Sequence, residues 1–501
     1  MHHYKDIQTL LEDLSIDNFS YTINNLLDPK NNLSRAHLLF IARDILILIK
    51  KRDKIIHLYA QIIKYIDESI KDTSGLLKTA IFEGIQIESQ EEKPHAAAFK
   101  LPCVLYGLNM YDYNKIISLL KFPKISKVNY LILFSFFASH IKRYHYFEFL
   151  YKIDPQYQKD QIFNHLLNKE FEIVNNYTSY GCMPDTLQYI LKYDIVEKLQ
   201  MQNNFDLNKD LEISYFETSD IQESSLDSLK YAAFFGSVNC YNYLSKILPK
   251  KQSSETNNWI ESHNIDYYAI GGGNYEIIKS IPSETLNIID ILPIAASSRR
   301  FSIFEWLFQN NFEPSQLFKT LCAATEANNI KVVEMIINKY DMPSFGENSE
   351  NPIEIGIKSE SVECVKLLLE KGIKYDPYCL HMAISKGLDD ISLFILNSGN
   401  SNPSLKDKSG RNATEIAAES CSYQLAAALV PYGNITTKVL DIAAEHNNYD
   451  FLSVFMNNAD SEIPNYLKSH EKKPKFTGLF IFVICSIIFI VIWVYLFNRF
   501  A

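Results

Sequence analysis

The sequence predicts an all-α protein, in which a helical N-terminal region precedes a solenoid of repeated helix pairs and one C-terminal membrane helix. Glycine and proline number only 16 and 17 in 501 residues, below their usual combined share of about 12%. Such scarcity disfavours turn-rich β proteins. Apolar residues recur at helical spacing near the N-terminus, and one frame of small and apolar residues recurs through the middle of the chain.

Residues 1–220 have the apolar spacing of successive helices, and no sustained strand alternation interrupts it. The segment from Ile55 to Ile66 is typical: Ile55, Ile56, Leu58, Tyr59, Ile62, Ile63 and Ile66 recur on one helical face. Short polar breaks such as Asp28-Pro29 and Asp154-Pro155 separate the helices. We expect a bundle or pre-solenoid that caps the repeats, because the end of a solenoid must shield its core.

Residues 221–460 contain about eight copies of one frame. A small residue is followed four positions later by Gly or Asn, and then by an apolar doublet. The first small residues are Ala232, Ala269, Ala295, Ala324, Gly356, Ala383, Ala417 and Ala443. Small residues let the first helix of a pair pack closely, and Gly or Asn ends that helix with a positive φ. The doublets form the second helix.

Several of these segments resemble ankyrin repeats. Asn351-Pro352-Ile353 and Leu380-His381 are similar to the Thr-Pro-Leu-His turn of that family, and Glu370-Lys371-Gly372 to its inter-repeat turn. The full turn motif is absent from every copy, so the resemblance is to degenerate ankyrin repeats. SLKYAAFFGSVNCYNYL and NNWIESHNIDYYAIGGGNYEIIKSI more specifically resemble an uncharacterised ankyrin-like family expanded in anaerobic protozoa. The resemblance implies a binding solenoid without catalytic residues.

The C-terminal segment predicts a transmembrane helix over residues 476–497. Its 19 residues from Leu479 to Phe497 carry no formal charge, close to the ~20 that cross a bilayer core. Lysines dominate the linker 461–475, whereas the tail 498–501 has one cation, so the N-terminal side should be cytosolic. The residues that set this topology are Lys472, Lys473, Lys475, Trp493, Tyr495 and Arg499.

The opening residues lack the basic-then-apolar order of a secretory signal. We therefore expect a tail-anchored, single-pass protein, with an endomembrane favoured by the long apolar span. A buried core helix and a removed lipid-anchor signal are the disfavoured alternatives.

The net charge and the absence of known catalytic motifs argue against several classes of function. The net charge is −10, and it disfavours nucleic-acid binding. Gly271-Gly272-Gly273 is not followed by the Gly-Lys-Ser/Thr of a nucleotide loop, and metal-protease and serine-hydrolase motifs are missing. We expect neither catalysis nor a cofactor, a metal ion or a small-molecule substrate.

Polar loops between the repeats are the candidate partner-binding sites, because ankyrin-like proteins bind partners through such tips. The candidate residues are Lys250, Lys251, Glu255, Glu347, Asn348, Glu350, Lys406, Asp407, Lys408 and Arg411. The favoured function is a cytosol-facing adaptor that binds another protein. A structural membrane tether without a specific partner is the alternative. An enzyme or regulatory subunit that uses the N-terminal helices is a weaker one.

Overall fold

The computed structural model describes residues 2–31, 33–70, 75–91, 95–201, 205–207, 209–221, 225–248, 265–281, 288–311, 317–340, 351–399, 401–432 and 437–458. The chain divides into two compact units, Met1–Ile373 and Lys374–Ala501. The predicted membrane helix 476–497 and its flanking residues lie outside the described residues. Within the described ranges, no helix combines the length and the apolar character that a bilayer crossing requires.

The first unit begins with short helices. In chain order they are α1 (His2–Glu12), α2 (Phe19–Leu26), α3 (Arg35–Lys51), α4 (Ile56–Ser69), α5 (Leu76–Glu88), α6 (Ala96–Gly107), α7 (Tyr113–Leu120), α8 (Lys127–Phe137), α9 (Arg143–Leu150), α10 (Gln161–Leu167), α11 (Phe171–Tyr180), α12 (Leu187–Lys192) and α13 (Val196–Met201). Alternate helices pack on one another, α1 on α3, α3 on α5, and α4 on α6. The helical N-terminal region is therefore observed as predicted.

A two-residue antiparallel pair, β1 (Leu211–Glu212) and β2 (Ser225–Leu226), precedes the repeats and is the one addition to the all-α prediction in the described ranges. The helices that follow in the first unit are α14 (Ser228–Phe235), α15 (Val238–Ile247), α16 (Ile265–Gly272), α17 (Tyr275–Ser280), α18 (Ile288–Ser297), α19 (Phe301–Asn311), α20 (Leu317–Glu326), α21 (Ile330–Lys339), α22 (Pro352–Lys358) and α23 (Val362–Glu370). The second unit contains α24 (Cys379–Ser385), α25 (Asp389–Asn397), α26 (Ala413–Ala417), α27 (Tyr423–Leu429), α28 (Thr437–Glu445) and α29 (Tyr449–Asn458).

Within each unit these helices form pairs that stack along the chain. The first helices of successive pairs pack on one another, α14 on α16, α16 on α18, α18 on α20 and α20 on α22. In the second unit α24 packs on α26, and α26 on α28. Each first helix also packs on its own second helix. This is the repeated helix-pair arrangement that the sequence frame predicts.

The turn inside each pair confirms the register of that frame. The first small residue of every frame except that of Ala417 accepts a hydrogen bond at its backbone carbonyl. The donor is the backbone N–H of the residue five positions later. Ser237 donates to Ala232 at 2.9 Å, and Asn329 donates to Ala324 at 2.8 Å. The residue directly before each N–H donor has a positive φ, as a helix-ending Schellman turn requires. At Gly356 an added Cβ would lie 2.4 Å from a Val365 methyl, which explains why this position is small.

Two of these turns depart from the expected Gly or Asn, because Arg299 and Glu360 hold the left-handed conformation with φ of 55° and 58°. A non-glycine residue in this region costs roughly 1–2 kcal/mol. For Arg299, buried contacts described below offset that cost.

At five turns of the described chain, the polar residue after the turn links neighbouring pairs. Its polar side chain donates to a carbonyl near the end of the preceding first helix. The hydrogen bonds of this inter-repeat ladder are Ser237 to Leu191, Asn274 to Gly236 at 3.1 Å, Asn329 to Ala296 at 2.9 Å, Ser361 to Glu326 at 3.4 Å and Asn448 to Ala417 at 3.1 Å. Because helix C-terminal carbonyls otherwise lack partners, the ladder satisfies them and fixes the stacking distance.

The N-terminal region contacts the repeats in two ways. Helices α12 and α13 pack on α14 and α15, as a solenoid cap does. Helices α1 and α3 instead reach turns deeper in the stack, where Gln8 accepts from the Ile330 N–H at 3.0 Å and donates to the Asn328 carbonyl at 2.7 Å. The N-terminal region therefore contacts the turns of the repeats as well as their end, and its capping role stays a prediction.

A buried ion network holds this second contact. Arg299 donates to Glu12 of α1 at 2.6 Å and to Asp44 of α3 at 2.6 Å, and all three side chains are almost completely buried. Lys331 lies 3.3 Å from the other carboxylate oxygen of Glu12. Although burial lowers the pKa of Arg299, the charges of Asp44 and Glu12 together raise it above its ordinary value. The first fifty residues are thus joined to the turn at residue 299.

Candidate functional site

The predicted partner-binding residues divide between described and undescribed parts of the chain. Lys250, Lys251, Glu255, Glu347, Asn348 and Glu350 lie outside the described residues, as do Lys472, Lys473, Lys475, Trp493, Tyr495 and Arg499. Lys406, Asp407, Lys408 and Arg411 are described. All four lie in residues 401–412, which connect α25 to α26 in the second unit and are called the tip here.

The backbone of the tip is closed by a tight turn. The Asp407 N–H donates to the Arg411 carbonyl at 2.8 Å, and the Gly410 N–H donates to the Asp407 carbonyl at 2.9 Å. The Asp407 carboxylate accepts from the Ser409 and Arg411 N–H groups at 2.8 and 2.9 Å. The Arg411 N–H bond is the first cause that holds the pKa of Asp407 below its ordinary value.

Both ends of the tip are anchored to helices. Asn412 and Glu415 form a capping box at the start of α26, with the Glu415 N–H donating to Asn412 at 2.8 Å. On the other side, the His381 Nε2 of α24 donates to the Leu405 carbonyl at 2.8 Å. His381 belongs to the segment that resembles the ankyrin turn motif, and its observed role is to hold the tip.

The four predicted residues therefore separate by role. Asp407 and Arg411 are half-buried and build the tip, with Arg411 also donating to Glu419 at 2.6 Å. Lys406 and Lys408 are exposed and are directed to solvent. Tyr378, which the sequence did not single out, is 46% exposed, and its ring meets the His381 ring edge-on at 5.7 Å. The exposed residues of the tip thus include two lysines, and an exposed tyrosine lies against the histidine that holds the tip.

The exposed side chains at the tip are of types that contact other proteins. No group of three or more His, Cys, Asp or Glu side chains that could hold a metal ion occurs among the residues the structure describes. Exposed lysines attract carboxylates, and tyrosine gives a large contact area at low entropic cost. The tip is therefore suited to contact with another protein.

No family model matches the chain, and no curated protein matches it. Among solved structures, the human ASB11 ankyrin repeat domain is similar at 16% identity, covering 50% of this chain and 99% of that domain, with a TM-score of 0.27.

Proposed function

We propose that this chain is a protein-interaction adaptor, held at a membrane by residues 476–497, with degenerate ankyrin-like repeats of the type expanded in anaerobic protozoa. Its partner is a protein that presents acidic side chains to the tip. The observation that carries this proposal is the preformed tip, which is closed by backbone bonds while Lys406 and Lys408 stay exposed.

Preorganisation gives the tip its value for binding. A loop that orders only on binding loses conformational entropy at that moment, and this loss subtracts from affinity. The Asp407 turn, the capping box at Asn412 and the His381 bond meet that cost during folding. Contacts made by Lys406, Lys408 and Tyr378 then contribute to affinity at the cost of ordering their side chains but not the backbone of the tip.

Binding is tested by affinity capture with the full-length chain, the double variant Lys406→Glu/Lys408→Glu, and a matched control. The control is Lys121→Glu/Lys124→Glu, which reverses two exposed lysines in the first unit. We expect one set of captured proteins to be lost from the tip variant and kept by the control. Identical sets from all three chains would contradict binding at the tip, and the capture of no protein by any of them would favour a membrane tether.

Membrane attachment is tested separately by protease protection of the full-length chain in membranes. The expected result is that only the C-terminal segment is shielded and that the first 467 residues are digested. Protection of those residues would overturn the cytosol-facing topology, and release of the whole chain by alkaline carbonate would overturn the anchor.

A further inference from the structure

Helix α9 has aromatic side chains on its exposed face as well as on its buried face. Tyr146 and Phe149 lie on the buried face and are almost completely covered. Phe147 and Tyr151 are one helical turn apart and are 39% and 64% exposed, and their rings stack with centroids 6.2 Å apart. A helix at the surface of a soluble protein normally has a polar outer face. The outer face of α9 therefore has the composition of a contact surface.

The apolar surface continues onto the end of α10. Leu167, the last residue of that helix, is 40% exposed. The Tyr146 hydroxyl donates to the Leu166 carbonyl at 2.7 Å, which fixes the end of α10 against α9. Single exposed apolar side chains are normal, whereas a contiguous group marks an interaction surface. We call Phe147, Tyr151 and Leu167 the aromatic patch.

Lysines surround the aromatic patch. Lys142 precedes α9, Lys152 follows Tyr151, and Lys169 follows the end of α10. Nζ of Lys169 lies 4.9 Å from the centroid of the Phe147 ring, and Nζ of Lys142 lies 4.6 Å from that of Tyr113. In the described part of the chain, neither Lys142 nor Lys169 pairs with a carboxylate. These two exposed charges are therefore available to attract an anion.

The carboxylates near the aromatic patch do not cancel these two charges. Those within three residues of it all have partners of their own: Glu148 with Lys152 at 2.9 Å, Asp154 with Lys127 at 2.9 Å and Glu170 with His165 at 2.5 Å. The net charge of the whole chain is −10, so an anionic surface repels the molecule on average. The aromatic patch is a place where attraction to such a surface is expected instead.

A membrane surface matches this combination of side chains. Aromatic rings with one polar end, together with lysines whose charged heads stay in water, are the residues that settle at the boundary between lipid headgroups and acyl chains. Helices that lie in this boundary combine aromatic and leucine side chains with lysines. Anionic headgroups attract lysines that lie close to the bilayer.

We propose that the aromatic patch docks on an anionic membrane surface. Phe147, Tyr151 and Leu167 enter the interface, and Lys142 and Lys169 contact the headgroups. The inference rests on the proposed membrane attachment, because three apolar side chains and two lysines bind a bilayer weakly on their own and an anchor supplies the effective concentration. The contact fixes the orientation of the first unit at the membrane.

The experiment compares hydrogen exchange of the full-length chain reconstituted with two kinds of vesicle. One kind is phosphatidylcholine alone, and the other contains about 30% phosphatidylserine. Exchange in residues 144–152 and 164–170 should be at least about threefold slower with phosphatidylserine. The difference should disappear at high salt, because counterions screen the lysines. Equal exchange with both kinds of vesicle would overturn the proposal and leave a protein as the occupant of the patch.

Two double variants locate the contact. Phe147→Ser/Tyr151→Ser removes the apolar part, and Lys142→Gln/Lys169→Asn removes the charges. Asn suits the positive φ of 59° at residue 169. Each variant should abolish the lipid-dependent difference. If the serine variant fails to fold, the charge variant alone decides, since both lysines are exposed.

The matched control is Tyr65→Ser/Ile87→Ser, which changes two residues of the first unit that are 47% and 54% exposed and lie outside the aromatic patch. It should keep the full difference. Loss of the difference in the control, or its persistence in both patch variants, would contradict docking by the patch.

Flotation of the same vesicles separates this proposal from the anchor. A chain that floats with phosphatidylcholine but shows no lipid-dependent exchange retains the anchor and overturns the docking of the patch. A chain that floats only with phosphatidylserine, and no longer does so after the patch substitutions, supports the patch and overturns the anchor. A chain that floats with neither overturns both.

Discussion

Each compact unit contains an arginine that contacts two carboxylates, and the two arginines differ in almost every other respect. Arg299 bridges Glu12 and Asp44 in the buried interior of the first unit, across 287 and 255 residues of chain. Arg411 bridges Asp407 and Glu419 on the surface of the second unit, within eight residues. The same side-chain chemistry therefore closes a long-range interface in one unit and a local turn in the other.

The difference teaches how the two sets of repeats are supported. In the first unit the turns at residues 299 and 328 are held from outside by α1 and α3. In the second unit the tip is held by its own backbone and by the adjacent helices α24 and α26. The inter-repeat ladder occurs in both units and is their shared device.

The largest expected effect comes from Arg299→Ala. Removing Arg299 leaves the buried Asp44 without its cation and Glu12 with Lys331 alone, and breaking a buried ion pair destabilises a protein by about 3–5 kcal/mol. Hydrogen exchange of the full chain should show faster opening of α3, α18 and α20, with α26 and α27 unchanged. Equal acceleration in both units, or none in the first, would contradict the assignment of the network to the first unit.

A second, intermediate effect should appear equally in both units. Asn329→Ala and Asn448→Ala each remove a buried ladder residue that donates to the preceding pair and caps its own second helix. Each should cost about 1–3 kcal/mol, measured as denaturant midpoints and local exchange. The exposed Asn242→Ala is the matched control. A loss in only one unit would show that the ladder is not a shared device.

A third effect concerns pH and the first unit. Burial, followed by the charge of Lys50, lowers the pKa of His95 below its ordinary value of 6.5. As the pH falls below about 6.5, the unfolded chain gains the proton first, so stability is lost. Denaturation midpoints should fall between pH 7 and 5.5, and His95→Gln should reduce that slope by up to about 1.4 kcal/mol per pH unit. The matched control is His446→Gln, an exposed histidine of the second unit.

The smallest effect is expected from Arg411→Ala. Half-exposed ion pairs at a protein surface contribute little to stability, so exchange at the tip should quicken by at most about fivefold while α26 and α27 keep their protection. A loss as large as that from Arg299→Ala would show that burial is not what separates the two arginines.

The register of the repeats could be predicted from the sequence because it depends on local rules. A small residue, a turn residue four positions later and an apolar doublet are all readable within one window, and the Schellman bonds at Ala232 and Ala324 fall where the frame places them. The polar residue that follows the turn can be recognised within the same sequence window. Its recurrence as Ser237, Asn274, Asn329 and Asn448 was the available signal for the ladder.

The network at Arg299 could not be predicted by such rules, because no local pattern relates residue 299 to residues 12 and 44. Two signals were present. Arg299 stands where the frame favours Gly or Asn, and Asp44 interrupts the apolar run from Leu38 to Ile49. A buried arginine and a buried aspartate are each unfavourable alone, and in the structure their opposite charges compensate for one another.

The sequence predicts the tip as a polar loop between two helix pairs, and partner binding by its residues stays a prediction. Four residues were selected because they are polar and lie between repeats, yet side-chain polarity does not distinguish a residue that builds a turn from one that contacts a partner. Asp407 and Arg411 build the turn, whereas Lys406 and Lys408 remain available to contact a partner. Tyr378 was missed because its position beside the tip depends on how α24 meets residue 405.

The distance between Glu12 and Arg299 also imposes an order on biosynthesis. Helix α1 leaves the ribosome long before its arginine partner, since 287 residues separate them. At about 5–20 residues per second, this interval lasts roughly 15–60 s. During that time Glu12 and Asp44 lack the arginine that pairs with them. The ion network of the first unit therefore forms only after residue 299 has been synthesised, whereas the tip is held by residues close to one another in the sequence.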